Sequence, residues 1–383
     1  MAIRILHVVD NLGRGGLQNG LVNLIRLLDA GRFEHVVCAM RALNHVEAHV
    51  FDDRVRTLCI GAEAGHARIQ IPQLVRAIRE VRPDVVHSRN WAAVEAVVAA
   101  RLAGGYRTIH SEHGFDGASK EPWRRAAFRR VAFELADRVM CVSHQLKEAH
   151  SKRTGFSPRK ISVIHNGVDT EQFCPDAAAR AHFRRELGIA ENELCIGAVG
   201  NLTPVKDHYT LLEATAELAR GRRNWRLILL GEGPEQPRLE AFLDRYPEWK
   251  ERVRFLGIRN QVPGLLNAMD VYVLTSLIEG ISNSLLEAMA TGLPVVATAT
   301  GGNPEVVAGQ ESGVLFPVGE GGQLAGHLGR LYDDPGERAR LAQGGLNRIR
   351  AQFSLSSMVR NYSRLYEDLG AGMECTAKAV ASA

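Results

Sequence analysis

Ser276-Leu-Ile-Glu279-Gly-Ile-Ser-Asn-Ser-Leu-Leu-Glu287-Ala-Met-Ala-Thr-Gly-Leu-Pro294-Val-Val-Ala297 is the stretch from which the fold is read. The apolar run Val271 to Leu274 in front of it predicts a strand, and Val295 to Ala297 predicts another. Between them Asn283 or Ser284 would cap a helix, and Gly292 and Pro294 would stop it. Glu279 falls in the loop before that helix and Glu287 eight positions on, inside it. A helix N-terminus attracts anions through its unpaired N–H groups and its dipole. Carboxylates beside an anion site suit a ligand that carries both phosphate and hydroxyls, as a nucleotide sugar does.

The same strand–loop–helix grammar runs outward in both directions. Apolar runs at 3–9, 35–40, 56–60, 84–87, 107–110, 138–142 and 161–164 are separated mostly by helical patterns, among them 17–28, 71–81 and 95–102. After His165-Asn-Gly-Val-Asp169 and a more polar helical stretch to about Ala190, strands recur at 194–199, 226–230, 253–256 and 314–316. Alternation of this kind predicts parallel sheets with helices on both faces. The chain of 383 residues is long for one core. We therefore read two doubly wound α/β domains, 1–168 and 169–354, followed by a helix and a frayed tail at 371–383. Open sheets of this class bind ligands at the carboxyl ends of their strands, so two facing domains would share a cleft.

Composition narrows the function. The net charge is +4, and of the 47 basic residues only seven are lysine. Such a balance gives no reason to expect nucleic acid as a partner. The cysteines at 38, 59, 141, 174, 195 and 375 form no C-x-x-C pair; they read as buried thiols of a reducing compartment. Met1 to Asp10 reads as a strand and not as a signal peptide, and no run approaches the ~20 apolar residues of a membrane span. A cytoplasmic protein is expected. The segment 120–138 is basic and amphipathic, with Phe128, Val131 and Leu135 as its stripe and Arg124, Arg125, Arg129 and Arg130 beside it. It fits either peripheral contact with the inner face of an anionic membrane or a packed helix with a solvated arginine face.

Several residues fall where chemistry is expected. Lys206, in the loop after the first strand of the second domain, is a compact cation suited to phosphate; a solvated surface lysine is the alternative. His113 follows a strand of the first domain and could donate to a sugar hydroxyl or phosphate, or be structural. His87 has a similar setting. Gly15-Gly16, between a strand and a helix, could cradle phosphate, admit a sugar or simply turn. Gly231-x-Gly233 allows close backbone approach to a ligand, but a plain turn explains it as well. No Asp-x-Asp triplet or cluster of metal ligands is present, so the charge of any leaving diphosphate would fall to Lys206, a helix N-terminus and arginines.

Taken together these motifs resemble the retaining GT-B glycosyltransferases of family 4, over about residues 3–368. The E-x7-E motif from Glu279 to Glu287 carries most of the likeness. The Asn166-Gly-Val-Asp169 linker, Lys206, Gly231-x-Gly233-Pro, Gly301-Gly-Asn-Pro-Glu305 and Phe353-Ser354 support it. The resemblance implies two Rossmann-like domains facing a cleft. Residues 1–168 would bind the acceptor, 169–354 the nucleotide sugar, and a helix at 355–370 would cross back to the first domain. It places Lys206 on the donor diphosphate and Glu279 at the donor sugar, with Gly280, Ile281 and Ser282 offering backbone N–H groups. Glu287 would hold the ribose, Gly16 would lie near phosphates and sugar, and His113 near the reacting sugar. Backbone around Gly257 and Ile258 would read the base.

A narrower likeness, in Glu279-Gly-Ile-Ser-Asn-Ser and Gly301-Gly-Asn-Pro, is to bacterial sugar transferases of exopolysaccharide assembly. The chain departs from the family at Asn201, where an arginine usually completes the cationic clamp, and at Gln18, where an acidic residue often stands. Arg222, Arg238 and Arg259 are candidates to replace the missing charge. The expected function is metal-free transfer, without cofactor, from a UDP- or GDP-linked sugar to a saccharide or lipid-linked saccharide. Glu279 would act either as nucleophile or as a group that orients the sugar. An epimerase or hydrolase of the same architecture, and a non-catalytic nucleotide-sugar-binding protein, are the other readings.

Overall fold

A computed structural model of the chain describes residues 2–13, 15–41, 55–61, 67–115 and 121–381, with backbone alone at 67–69 and 371–381. It divides into two compact units, Met1–Asn166 with Ser356–Ala383, and Gly167–Leu355.

The first unit holds β1 (Ile3–Val9), β2 (Phe33–Ala39), β3 (Arg56–Cys59), β4 (Val85–Arg89), β5 (Arg107–Glu112), β6 (Arg138–Cys141) and β7 (Ile161–Val163). They form one seven-stranded parallel sheet in the order β3-β2-β1-β4-β5-β6-β7. The second unit holds β8 (Leu194–Val199), β9 (Trp225–Leu230), β10 (Val253–Gly257), β11 (Val271–Leu274), β12 (Val295–Thr298) and β13 (Val314–Phe316). Its six-stranded sheet runs β10-β9-β8-β11-β12-β13. In each sheet the order reverses beside the first strand, between β1 and β4 and between β8 and β11. Loops leaving the carboxyl ends of those strands diverge there and open a crevice. The fold is the two-Rossmann GT-B class.

Period-two alternation feeds two cores on opposite faces of the second sheet. Leu227, Leu229, Val271 and Val273 pack with Leu211, Leu218 and Leu328, while Ile228, Leu230, Tyr272 and Leu274 pack with Leu285, Leu286 and Met289. The last three belong to helix Asn283–Ala290. Each such burial contributes about 2 kcal/mol, so the helix that comes after Glu279 is anchored by its own apolar face.

The chain returns to the first unit through helix Leu355–Ala381. Tyr362 and Tyr366 on it are buried against His87 of β4. The helix does not fray at 371 as expected, because residues 371–381 lack proline and are rich in alanine, a strong helix former.

The basic segment also departs from expectation. Its residue 120 lies outside the described residues, and helix Trp123–Leu135 buries Arg129, Ala132 and Phe133. Val131, read as part of the apolar stripe, is 52% exposed. Arg129 goes inward because buried Glu112 and Glu121 need a cation; its Nε lies 2.9 Å from Glu112 Oε1, and it also pairs with Glu121. Burial alone would raise the Glu112 carboxyl, yet His150, His110 and Arg129 around it hold it well below the usual range. Cys38, Cys141 and Cys195 are buried, but Cys59, on the edge strand β3, is exposed. Among the described residues no helix is long and apolar enough to cross a membrane.

Candidate functional site

In the second unit, β8 and β11 are neighbours, so the loops that leave them lie side by side. The loop after β8 ends in a tight 3-10 turn, Pro204–Lys206. The loop after β11 carries Glu279 into helix Asn283–Ala290. Two hydrogen bonds join them: Leu277 N–H donates to Val205 O at 2.8 Å, and the Thr275 hydroxyl to Lys206 O at 2.9 Å. Lys206 Nζ consequently stands 2.5 Å from Glu279 Oε1, the side chains 24% and 12% exposed. An ammonium has three donors, so this pairing leaves it capacity for a phosphate oxygen.

The Glu279 loop is also held from behind. The Thr298 hydroxyl donates to Ser276 O at 2.7 Å, and Gly302 N–H donates to Gly280 O at 2.8 Å. Gly301 has φ +55°, and a Cβ there would fall 1.7 Å from Glu279 O. The Gly301-Gly302 pair thus lets the loop after β12 lie directly under the carboxylate's backbone, a role that sequence alone did not reveal.

The helix cap differs from expectation. Ser282 is the N-cap, its Oγ accepting from Leu285 N–H at 3.4 Å, whereas Asn283 opens the helix. Ser284 Oγ instead accepts from the Tyr272 phenol at 2.8 Å and lies 3.1 Å from Ser282 Oγ. The N-terminal N–H groups of this helix and the Gly280–Ser282 backbone thus start within one turn of Glu279. Glu287 sits in the second helical turn, half-buried, and burial pushes its carboxyl up to about 7. Around neutrality it is able both to donate to and to accept from a hydroxyl.

Elsewhere in the second unit, Gly257 ends β10 with φ +64°, its carbonyl accepting from Gly231 N–H at 2.9 Å. Ile258 is 53% exposed, and its N–H faces Glu232 Oε1 at 3.4 Å, so a carboxylate overlooked in the sequence already engages the amide expected to read a base. Gly231 is needed for backbone packing, since a Cβ there would sit 2.1 Å from Gly200 O. Asn201 is exposed. Arg222 is not a substitute for the missing arginine: it precedes β9, at the opposite end of the strands, and pairs with Asp333. Arg238 pairs with Glu235 and lies over Tyr209, and Arg259 Nε donates to Leu256 O.

In the first unit, His113 follows β5 and Gly16 opens helix Gly16–Leu27. Both line one small cavity together with Arg89, Asn166, Met358 and Tyr362. His113 N–H donates to Asn90 Oδ1 at 2.7 Å, and its ring Nε2 lies 2.9 Å from Ser111 Oγ. Burial and then the Arg89 charge lower its imidazole to about 3, so it is neutral at physiological pH. His87, expected at a strand end, lies inside β4 and fully buried, between Tyr366 Oη at 2.8 Å and Ser111 Oγ at 2.9 Å. Arg89, Ser111 and Tyr366 had no sequence signal, because what joins them is parallel register and the returning helix.

The comparisons with known proteins agree with this fold. A model described as Glycosyltransferase Family 4 matches residues 14–172, and one described as Glycosyl transferases group 1 matches residues 193–334. The UDP-Gal:alpha-D-GlcNAc-diphosphoundecaprenol alpha-1,3-galactosyltransferase of Escherichia coli is 29% identical over 96% of this chain and 97% of its own length. The putative glycosyltransferase EpsF of Bacillus subtilis is 27% identical over 76% of this chain and 78% of its own. Among solved structures, Anabaena Alr3699/HepE in complex with UDP superposes with a TM-score of 0.83 at 22% identity, covering 96% of this chain and 100% of that one. One family model lies on each unit and together they span most of the chain: the chain belongs to the family 4, group 1 glycosyltransferases.

Proposed function

We propose that this enzyme is a retaining, metal-independent transferase of cell-surface or exopolysaccharide assembly. It moves a hexose from a UDP- or GDP-sugar to a hydroxyl of a saccharide or lipid-linked saccharide. The observation that carries this reading is the Lys206–Glu279 pair, 2.5 Å apart at the carboxyl ends of β8 and β11, beside a helix N-terminus. The name of the Escherichia coli relative favours a UDP-linked donor and a diphosphate-linked lipid as the acceptor's carrier.

In this mechanism the second unit holds the donor. Lys206 and the helix N-terminus meet the negative charge that builds on the departing diphosphate. Gly280, Ile281 and Ser282 supply backbone donors, Glu287 takes the ribose, and Gly257 and Ile258 border the base. A carboxylate already paired with an ammonium is a poor nucleophile, which favours Glu279 as the group that orients the sugar. The anomeric carbon–oxygen bond then breaks toward the diphosphate while the acceptor oxygen bonds the same face. The acceptor's proton passes to the leaving phosphate oxygen. The first unit contributes Gly16 and His113 toward the sugar and binds the acceptor. On helix Trp123–Leu135, Trp123 is 75% exposed, with the Arg124 guanidinium 5.5 Å from its ring centroid. That pair fits peripheral contact with an anionic inner-membrane face near a lipid-linked acceptor.

A thermal-shift screen of UDP- and GDP-sugars, followed by transfer assays with chelator present, tests the proposal. One donor class should raise Tm, and transfer should continue in chelator with anomeric configuration retained. Free sugar released without an acceptor would mean a hydrolase. Binding without turnover, the outcome that exposed Asn201 makes worth checking, would mean a binding protein.

A further inference from the structure

The buried polar groups behind His113 form a line of contacts with a direction. Tyr366 Oη lies 2.8 Å from His87 Nδ1, His87 Nε2 lies 2.9 Å from Ser111 Oγ, and Ser111 Oγ lies 2.9 Å from His113 Nε2. A neutral imidazole donates from one nitrogen and accepts at the other. Ser111 Oγ also lies 3.4 Å from Ser88 O, a longer contact than the one to His113 Nε2, so with the hydroxyl's hydrogen kept on the line two arrangements remain. In one, protons point from Tyr366 toward His113; in the other they all point back.

Arg89 decides between them. Its guanidinium has donors only. Nη1 lies 3.0 Å from His7 Nδ1, so His7 accepts there and its Nε2–H donates to His35 Nδ1 at 3.0 Å. Nη2 is buried without a hydrogen-bond partner among the described residues, and the charge acts on the nearby Tyr366 phenol. In the reversed arrangement His87 Nδ1–H and the Arg89 guanidinium would both approach the phenol oxygen as donors, and the phenol's own hydrogen would find an acceptor in neither. In the forward arrangement the lone pair faces Arg89 and the hydrogen goes to His87 Nδ1. His87 Nε2–H then donates to Ser111 Oγ, and the Ser111 hydroxyl to His113 Nε2.

We propose that Arg89, Tyr366, His87 and Ser111 form a one-way hydrogen-bond chain that holds His113 as the tautomer protonated on Nδ1, so that His113 gives a hydrogen bond to a substrate oxygen and takes no proton. His113 Nδ1 has no hydrogen-bond partner among the described residues, and the ring lines the cavity that Gly16 shares. The four residues are positioning residues; that the bond goes to a substrate rests on the transferase reading above. Tyr366 sits on the returning C-terminal helix, so docking of that helix onto β4 sets the proton position on a ring 253 residues earlier in sequence.

The test is nitrogen NMR on the full-length protein labelled with 15N-histidine, with the His113 signals identified by their loss in His113→Gln. Protonated and bare ring nitrogens are well separated in such spectra. At neutral pH His113 should carry its proton on Nδ1. Tyr366→Phe, nearly isosteric, should convert it to a mixture of both tautomers and lower kcat by about two- to tenfold, the worth of a typical hydrogen bond, with KM little changed. Ser111→Ala should do the same and serves if Tyr366→Phe folds poorly. A proton on Nε2 in the wild type, or an unchanged tautomer in both variants, would overturn the chain. The spectrum needs no substrate, so the two readings fail separately. The expected tautomer in a protein that transfers no sugar would refute the transferase alone, and the opposite tautomer in an active enzyme would refute the chain alone.

Discussion

At the carboxyl ends of β8 and β11 a lysine and a carboxylate meet at 2.5 Å, each partly open to solvent. At the carboxyl ends of β4 and β5 the polar groups that line the first unit's cavity include an imidazole, backed by two more, which burial and the Arg89 charge keep neutral. The strands feeding the two places are built alike, so the difference lies in the loops and in the register of neighbouring strands. Short loops pinned by side-chain-to-backbone bonds place full charges in the second unit, and register inside the sheet places buried histidines in the first. A half-buried ion pair is a store of charge for a ligand that brings its own charges. Neutral, oriented donors suit hydroxyls, which a nearby unpaired charge would not discriminate.

The ionic side of this contrast is most vulnerable at Gly301. Its replacement by alanine puts a Cβ on the Glu279 carbonyl at a positive φ, which costs about 1 kcal/mol from the backbone alone and displaces the carboxylate loop. Because a displacement of ~1 Å in positioning groups costs about 100-fold, turnover should fall by roughly that factor, as kcat measurements would register. Calorimetry should meanwhile find UDP binding less affected. Equal activity would mean that the loop has slack and the pair is not held in place.

Asn201→Arg would widen the contrast by adding a cation to the ionic side. A charge-assisted contact to phosphate contributes ~1.5–3 kcal/mol, so donor affinity should rise by at least about tenfold, read by titration calorimetry. No gain would place residue 201 out of reach of the phosphates.

Glu287 gives the smallest effect. Its carboxyl is raised from 4.5 to about 7 by burial. Between those values the folded state binds more protons than the unfolded chain, so this group costs stability as pH climbs, and the cost is complete above 7. Glu287→Gln should raise Tm at pH 8, with the gain shrinking as pH falls through 7 toward 4.5 in a series of thermal melts. A gain independent of pH would mean that the carboxylate is not the cause.

Much of the second unit was legible in the sequence, because its site is local. Glu279 and Glu287 lie on one strand–loop–helix, and the stop and the apolar face of that helix are written within it, while its cap falls on Ser282, one residue before the expected Asn283. Lys206 needed only the rule that adjacent strand ends share a crevice. The role of Gly301 was not legible, since it depends on a backbone contact between two loops. In the first unit His113 and Gly16 could be placed at strand ends, but nothing in the sequence tied His87 to Ser111 or Tyr366. Arg129 misled for a related reason: helical periodicity puts arginine outside unless buried carboxylates on another element claim it, as Glu112 does.

The donor side of the mechanism rests on Lys206 gripping the departing diphosphate, and comparing UDP with UMP isolates that grip. Titration calorimetry on the wild type should give UDP at least about tenfold the affinity of UMP, as expected for a charge-assisted contact to the outer phosphate. In Lys206→Ala that preference should collapse while UMP binds as before. A variant that still prefers UDP by the full wild-type factor would show that the outer phosphate is held by other groups and that Lys206 does not grip it.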